Sequence, residues 1–345
     1  MEIYLTHTSL AVVLISMSII SAKSSTAEAQ DQTYAEKLGF PENATVLIMH
    51  IDDVGMSHES NRGAIHAMEK GVANSLSIMM PCAWVPEFAR YYKQHPDIDA
   101  GLHLTLTSEW DNYRWGPVSG ATCNPSLADR QGAFYPSVEE VVQHAEPDEV
   151  EDEIRAQIEL ARNMGFSPTH LDSHMGTLFA TADLMQIYIN LGIEYQIPVM
   201  FPAGHSTLIR QQRQLTSDQH QQMQEAGQKL WAAGLPVLDD LHNFSYGWEI
   251  PREVADSDKK LQAYWTQKYI DSFEHLEPGV TMVIMHCTDP SETFAQISDS
   301  GTLRKADMLA MTSTRLKDYI EKEGIILTTW KELKRRRDSL QKNEK

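Results

Sequence analysis

Basic residues and cysteine are scarce in this 345-residue sequence. Lys and Arg number 29 against 48 Asp and Glu, which gives a formal net charge of −19 at pH 7. Nucleic-acid binding draws on Lys and Arg that neutralise phosphates, so this balance argues against a nucleic-acid partner. The three cysteines, Cys82, Cys123 and Cys287, are an odd number without CxxC spacing. They supply neither a disulfide framework nor a thiolate zinc site.

Several common catalytic and binding motifs are also absent from the sequence. It contains no GxxxxGKS, GxxxxGKT or GxGxxG phosphate-binding loop, no GxSxG nucleophile elbow and no HExxH helix. These absences argue against nucleotide binding and against serine-hydrolase or zincin chemistry.

Long apolar runs are confined to the amino terminus. Residues 9–22 are apolar but too short to span a membrane comfortably, and Ala27 and Ala29 have the small-residue spacing of a signal-peptidase site. The pattern predicts a signal peptide over residues 1–29. We therefore expect export to the periplasm or the extracellular space, with no stable membrane insertion after cleavage. A retained anchor is the alternative, because no Lys or Arg precedes the apolar run.

Short apolar segments alternate with helix-like segments from Ala44 to Trp330, as in repeated βα units with a parallel sheet. The candidate strands are residues 45–51, 75–80, 99–106, 169–174, 198–202, 236–241, 281–286 and 325–329. Their number favours an α/β fold of the TIM-like (β/α) barrel type, with seven or eight parallel strands, over an open sheet. The predicted barrel domain covers residues 44–330, between an N-terminal lead-in at 30–43 and a basic C-terminal tail at 331–345.

Helix signals and loop composition add detail to this outline. Ser57 is expected to cap a helix that stops at Gly71, and a second helix has an apolar stripe and an acidic face, residues 149–159, expected to be solvated surface. Two inserted loops, residues 109–136 and 242–257, are rich in aromatic residues. They are predicted to form walls on which a sugar stacks, and the alternative is that the rings only anchor the loops. The candidate substrate-binding residues are Trp110, Tyr113, Trp115 and Trp248.

Acidic and imidazole side chains stand at the carboxyl ends of four predicted strands. They are Asp52 with Asp53, His103, Asp172 with His174, and His286. In parallel α/β folds these ends meet on one face, where active sites are built. One Asp with two His forms a ligand set for zinc or a similar divalent ion, with a position left open for water. Taken singly, each of these residues is more often structural.

Side-chain alternation along a strand sorts the roles of these residues. Asp52 and Asp53 must diverge, so one carboxylate can bind the ion while the other serves as a base. Asp172 is expected to orient either His174 or His286, because a ring N–H needs an acceptor to fix its tautomer.

The run Ile51-Asp-Asp-Val-Gly-Met-Ser57, the segments 71–75, 100–105 and 168–174, and Arg304 with Asp307 resemble the YdjC-like carbohydrate deacetylases. The similarity covers about residues 44–330. It implies a TIM-like barrel and a metal-dependent hydrolase that removes acetyl groups from N-acetylated amino sugars or oligosaccharides.

The same resemblance implies specific site residues. One divalent ion, zinc or magnesium, would be held by Asp53, His103 and His174. Asp52 would act as the general base and His286 as the general acid. Asp172 and Arg304 would lie next to these residues and orient them without contacting the ion. An O-deacetylase, another metal-dependent carbohydrate hydrolase and a non-catalytic secreted glycan-binding protein stay open as alternatives.

Overall fold

The computed structural model describes residues 32–343. The predicted signal peptide, residues 1–29, lies outside the described residues. The strands are β1 Thr45–Val54, β2 Ser75–Ile78, β3 Ala100–Leu104, β4 Leu171–Ser173, β5 Asp240–His242, β6 Gly279–Met285 and β7 Ile326–Leu327. The α-helices are α1 Tyr34–Lys37, α2 His58–Lys70, α3 Val85–Gln94, α4 Val138–His144, α5 Pro147–Asn163, α6 Ala182–Tyr195, α7 Thr207–Arg213, α8 Ser217–Ala232, α9 Arg252–Ala255, α10 Asp258–Phe273, α11 Gly301–Met311, α12 Thr314–Lys322 and α13 Trp330–Asn343. Each of these helices is too short or too polar to cross a bilayer.

Six parallel strands lie side by side in the order β4-β3-β2-β1-β6-β5, and β7 pairs with the first half of β1. Isolated bridges join Leu171 of β4 to Val199 and Pro202 to Leu238, two residues before β5, so the segment after α6 runs between β4 and the residues that lead into β5. The sheet therefore has the curvature of a barrel, and the α/β class with parallel strands is confirmed. The predicted count of seven or eight regular barrel strands is not confirmed. Residues 198–202 form no regular strand, because each proline there lacks the N–H that a ladder needs.

Side-chain alternation along β1 places a polar layer above an apolar floor. Val46 and Ile48 pack in a buried cluster with Trp330, the first residue of α13. The alternate residues Leu47, Met49 and Ile51 point to the other face and belong to a second buried cluster, together with side chains of the surrounding helices. His50 and Asp52 continue the face of Val46 and Ile48 and are also buried. The interior of the sheet thus changes from apolar to polar towards the carboxyl ends of its strands.

The two predicted helix boundaries are confirmed for α2. The Ser57 side chain accepts a hydrogen bond from the backbone N–H of Ser60, and the helix ends at Gly71. In α5 the acidic face is not simply solvated. Glu153 is fully buried and accepts hydrogen bonds from the backbone of Val118 and Ser119, which anchors the first aromatic loop. These backbone donors hold the Glu153 carboxylate inward. They lie about 35 residues before Glu153 in the chain, so the periodicity of the helix could not predict the contact.

The helix at the C-terminal end of the predicted barrel domain packs against that domain. The Asp99 carboxylate accepts the backbone N–H groups of Trp330 and Lys331 and so caps α13. Leu333 and Arg337 of this helix are buried. The segment predicted as a basic C-terminal tail therefore begins as part of a docked helix. Its sequence reads as polar because six of the fourteen residues of α13 are Lys or Arg, which have long side chains.

Candidate active site

Three side chains from three strand ends converge at the carboxyl edge of the sheet. Asp53 lies near the end of β1, His103 on β3 and His174 immediately after β4. The Oδ1 atom of Asp53 lies 3.3 Å from Nε2 of His103 and 3.3 Å from Nδ1 of His174. The three potential ligand atoms lie within 4.8 Å of one another, and all three side chains are buried. The structure thus brings together the residues expected to hold a metal ion.

A break in the regular backbone of β1 directs both neighbouring carboxylates towards this cluster. Asp53 has a φ of 64°, and the register with β2 shifts between Ile51 and Val54. Strict alternation would send Asp52 and Asp53 to opposite faces. Instead, one oxygen of each carboxylate lies within 4 Å of Nε2 of His103, at 3.8 and 3.3 Å respectively. A non-glycine residue in this left-handed region costs about 1–3 kcal/mol, which is typical of functional sites.

Each imidazole of the cluster has its second nitrogen fixed by a carboxylate. Nδ1 of His103 lies 2.6 Å from Oδ1 of Asp172, and Nε2 of His174 lies 3.1 Å from Oε2 of Glu109. A proton on each of these outer nitrogens leaves Nε2 of His103 and Nδ1 of His174 free to bind a cation. Such carboxylate–imidazole pairs orient metal ligands and fix their tautomers. The expectation that Asp172 orients His174 or His286 is wrong, because Asp172 pairs with His103 across adjacent strands in register.

Arg304 holds the remaining oxygen of Asp53. Its Nη1 atom lies 2.6 Å from Oδ2 of Asp53, and both side chains are buried. Burial alone would raise the pKa of Asp53, but the Arg304 charge and the contacts with His103 and His174 outweigh it and hold this pKa well below its usual range. Asp53 therefore stays ionised and presents Oδ1 to the two imidazoles. The predicted supporting position of Arg304 agrees with this contact.

The donor set fits a divalent cation. Within residues 32–343, no hydrogen bond of good geometry reaches Oδ1 of Asp53, although this atom is buried. Burial alone would lower the pKa of His174, but Glu109 and Asp53 outweigh it and raise this pKa to about 9. The pKa of His103 is also raised, because the nearby Asp52 and Asp172 outweigh the opposing effect of burial. The surrounding carboxylates favour positive charge on the His103 and His174 rings. A divalent cation bound to their nitrogens can supply that charge in place of the protons.

Asp52 and His286 face each other beside the cluster. Oδ2 of Asp52 lies 3.9 Å from Nε2 of His286, and His286 follows directly after β6. The backbone N–H of His286 donates to Oδ2 of Asp307, which also receives hydrogen bonds from Trp265 and Tyr269 at its other oxygen. Burial and the charge of Arg304 lower the pKa of His286. Asp52 and His286 thus stand on the same side of the cluster, too far apart for a direct hydrogen bond.

Three contributors to the site were missed from the sequence. Glu109, which contacts His174, begins a loop without periodicity, and no sequence signal places it. Asp307 was noted only as part of a motif, and its contact with the backbone of His286 depends on how α11 packs. His50 could have been found, since it lies two residues before Asp52 and so shares its face.

The aromatic residues of the first loop are mostly turned into the protein. Trp110 is half-buried, and its ring centroid lies 5.8 Å from the Arg304 guanidinium. The Tyr113 hydroxyl donates to the backbone oxygen of Met56. Trp115 is buried and donates through Nε1 to the backbone oxygen of Thr107, which precedes the loop. Trp115 therefore matches the anchoring alternative rather than a sugar-stacking wall, because its faces are covered.

In the second loop, the residue at the site is not the predicted one. Trp248 packs against Trp265 and Tyr269 of α10. Tyr246 is 46% exposed, and its ring centroid lies 4.8 Å from that of His286. Tyr246 thus offers an accessible aromatic face beside the reactive residues, while Trp248 anchors the loop.

The fold and the site together define a class: a parallel α/β protein of the barrel kind with a buried carboxylate–imidazole cluster at its strand ends. The family model for YdjC-like protein matches residues 46–322. The chain belongs to the YdjC-like family.

Relatives with curated names are similar over most of the chain. A Thermus thermophilus protein named carbohydrate deacetylase is 31% identical over 277 residues, which are 80% of this chain and 89% of the relative. A carbohydrate deacetylase of Brevibacillus brevis is 27% identical and covers 83% of this chain and 99% of its own length. Among solved structures, a protein of Enterococcus faecalis V583, provisionally described as a cellobiose-phosphate cleavage protein, matches with a TM-score of 0.66 and 22% identity. That match covers 84% of this chain and 99% of the other and supports the fold.

Proposed function

We propose that this protein is a metal-dependent carbohydrate deacetylase that releases acetate from N-acetylated amino sugars or oligosaccharides. The observation that carries the proposal is the convergence of Asp53, His103 and His174 at one buried point beside a second carboxylate, Asp52. Membership of the YdjC-like family and the names of its curated relatives support the reaction class.

The cation would be held by Asp53, His103 and His174. A divalent ion bound there supplies Lewis-acid polarisation of the acetamide carbonyl. Two imidazoles with one carboxylate suit zinc, whereas magnesium prefers oxygen ligands, so zinc is the working assignment and magnesium the alternative. Arg304 keeps Asp53 ionised and limits it to one free oxygen, Oδ1, while Asp172 and Glu109 orient the two imidazoles.

Asp52 and His286 carry the proton transfers in this proposal. Asp52 accepts a proton from the attacking water at Oδ2 as the water oxygen bonds to the acetyl carbon. His286 delivers a proton to the departing nitrogen as the carbon–nitrogen bond breaks. Because burial and the charge of Arg304 lower its pKa, His286 is largely neutral at pH 7, and the proton that it delivers is the one Asp52 has taken from the attacking water, relayed by a bridging water molecule. The products are acetate and a free amino sugar.

The exposed ring of Tyr246 provides the sugar contact. It lies beside His286, and the Arg304 guanidinium lies 5.7 Å from its centroid. Arg304 thereby links Tyr246 to Trp110 of the other aromatic loop. An aromatic face at this point can hold a pyranose ring with its acetamido group directed towards the cluster.

The test is acetate release from a panel of substrates. The protein is incubated with N-acetylated oligosaccharides, O-acetylated oligosaccharides and a phosphodiester, with and without a chelator. Chelator-sensitive acetate release from the N-acetylated compounds supports the proposal. Preference for the O-acetylated set identifies an ester-cleaving enzyme, and binding without turnover identifies a glycan-binding protein.

Export is a separate part of the proposal, supported by the sequence of residues 1–29. The test is the amino terminus of the protein recovered outside the cytoplasm. A terminus at Gln30 supports cleavage, and a full-length chain in the membrane fraction supports a retained anchor.

A further inference from the structure

His50 lies directly beneath the candidate active site, inside the sheet. It is fully buried on β1 and shares a face with Asp52. The apolar floor formed by Val46 and Ile48 lies below it on the same strand face. The reaction proposed above gives this imidazole no task, although a buried polar ring needs partners to offset its desolvation.

One nitrogen of His50 serves two carboxylates. Its Nε2 atom lies 2.9 Å from Oδ2 of Asp172 and 3.1 Å from Oδ1 of Asp52. Oγ of Ser77 also lies 3.1 Å from this nitrogen, and a hydroxyl oxygen can accept the same N–H. Among the described residues, no hydrogen bond of good geometry reaches either of the two buried carboxylate oxygens. Nε2 of His50 therefore contacts both the proposed base and the carboxylate that orients His103.

The other nitrogen of His50 faces a hydroxyl that already has an acceptor. Nδ1 lies 2.9 Å from Oγ of Ser75, and the Ser75 side chain also hydrogen-bonds to Asp99. A hydroxyl has one proton to donate, and the Asp99 carboxylate has none to spare when ionised. If Ser75 donates to Asp99, Nδ1 of His50 must donate to Ser75. His50 then carries a proton on both nitrogens and a positive charge.

The electrostatics agree with this hydrogen-bond count. Burial alone would lower the pKa of His50, but Asp172 and Asp52 outweigh it and raise this pKa to about 9. The charge of Arg304 is paired with Asp53. His50 supplies a positive charge next to Asp52 and Asp172, which would otherwise repel each other inside the sheet.

A second buried histidine offers a contrast in the same layer. Nε2 of His170 lies 3.8 Å from Oδ2 of Asp172, beyond hydrogen-bond distance, and its ring stacks on Trp330. Burial and the nearby charge of His50 lower the pKa of His170 well below its usual value, so this ring is neutral. His170 is as buried as His50 and fills the same interior. It is therefore a matched control.

We propose that His50 is a positioning residue, a buried imidazolium whose ion pairs through Nε2 hold Asp52 and Asp172 in place for the deacetylation step. This inference rests on the proposed function. Through Asp52 it fixes the proton acceptor, and through Asp172 it fixes the ring of His103. The orientation of Asp52 and of His103 therefore depends on His50, which itself contacts neither the substrate nor the cation.

Two isosteric variants separate the roles of the two nitrogens. His50→Gln keeps an amide N–H near the position of Nε2, whereas His50→Asn keeps one near Nδ1 and leaves Asp52 and Asp172 without a donor. His170→Gln is the control. Each variant is measured for kcat and KM of acetate release, for cobalt affinity, for the visible spectrum of the cobalt form and for cobalt content per chain.

We expect His50→Asn to lower kcat by about 10–100-fold, the usual effect of losing a partner behind a metal ligand. KM should change little, because His50 does not meet the sugar. His50→Gln should retain more activity than His50→Asn, and His170→Gln should match the wild type. The cobalt spectrum of His50→Asn should shift, because His103 loses its fixed orientation. A fold defect alone would not produce this order of variants.

Three results would overturn the inference. The first is a His50→Asn protein with wild-type kcat, cobalt affinity and spectrum, and the second is His50→Asn equal to or better than His50→Gln. If His50→Asn does not fold, equal kcat, cobalt affinity and cobalt spectrum for His50→Gln and His170→Gln would also overturn the inference. The third is a second cobalt ion per chain that both His50 and His170 variants lose, since His50 would then be a ligand.

Failure of the proposed function has a different signature. A wild-type protein that binds cobalt but releases no acetate from any substrate refutes the deacetylase proposal. The cobalt affinities and spectra of the same variants would still test whether His50 positions the cluster.

Discussion

Arg304 binds Asp53 through Oδ2 at 2.6 Å, so that the carboxylate has one oxygen left for the two imidazoles. Both side chains are buried, and the guanidinium also lies between the rings of Trp110 and Tyr246. The contact joins α11 to β1 across 251 residues of chain. It connects the geometry of the candidate metal site to both aromatic loops.

Replacing this arginine should destabilise the protein markedly. We expect Arg304→Gln to lower the free energy of unfolding by about 3–5 kcal/mol, because a buried carboxylate loses its partner. Arg155→Gln, which removes an arginine paired with Glu151 and Glu194 at the surface, should cost less than about 1 kcal/mol. Urea denaturation of the metal-free proteins provides the measurement. Equal losses in the two variants would show that the Arg304–Asp53 contact is not a buried ion pair of this kind.

Removing the proposed base should separate turnover from metal binding. We expect Asp52→Asn to lower kcat by about 10²–10⁴-fold, the usual contribution of general acid–base catalysis. Metal content should stay at the wild-type level, because Asp52 is not among the three proposed ligands. Acetate release and elemental analysis of the same sample provide the two readouts. Full activity with full metal content would refute the role of Asp52.

Metal binding should release protons at neutral pH. The pKa of His174 is raised to about 9, so in the metal-free protein this ring holds an extra proton at pH 7 that a cation must displace. The apparent affinity should therefore rise with pH through the pKa of His174, about 9. Calorimetric titration in buffers of different ionisation enthalpy counts the protons released. Binding at pH 7 without proton release would contradict the proposed role of His174.

Tyr246 should affect substrate binding more than the chemical step. We expect Tyr246→Ala to raise KM by about tenfold, since an aromatic contact contributes about 0.5–1.5 kcal/mol beyond its buried area. Trp248→Phe, which changes a ring packed against α10, should leave KM near the wild-type value. Initial rates over a range of substrate concentrations distinguish the two. A larger KM effect at Trp248 would place the sugar elsewhere.

The sequence was sufficient to predict which residues meet, because strand ends follow from apolar runs and parallel strands place their carboxyl ends together. Asp53, His103 and His174 are separated by 50 or more residues, yet each stands at a strand end. What the sequence did not predict depends on local backbone departures and on loop paths. The positive φ of Asp53 turns a residue expected to diverge from Asp52 towards the same cluster.

The partners of the imidazoles were predicted less well for a related reason. Asp172 shares a strand face with His174, which favoured a contact between neighbours in the chain. The structure instead pairs it with His103 on the adjacent strand, because cross-strand partners in register are closer than residues two apart on one strand. Glu109 lies on an irregular loop, where no periodicity relates sequence to position.

Titration of the chelator-treated protein with zinc tests the central claim most directly, with the wild type compared against Asp53→Asn, His103→Gln and His174→Gln. The account predicts one ion per wild-type chain and a severe loss of affinity in each of the three variants. Undiminished binding in any one of them, or a wild-type protein that binds no divalent ion, would contradict it.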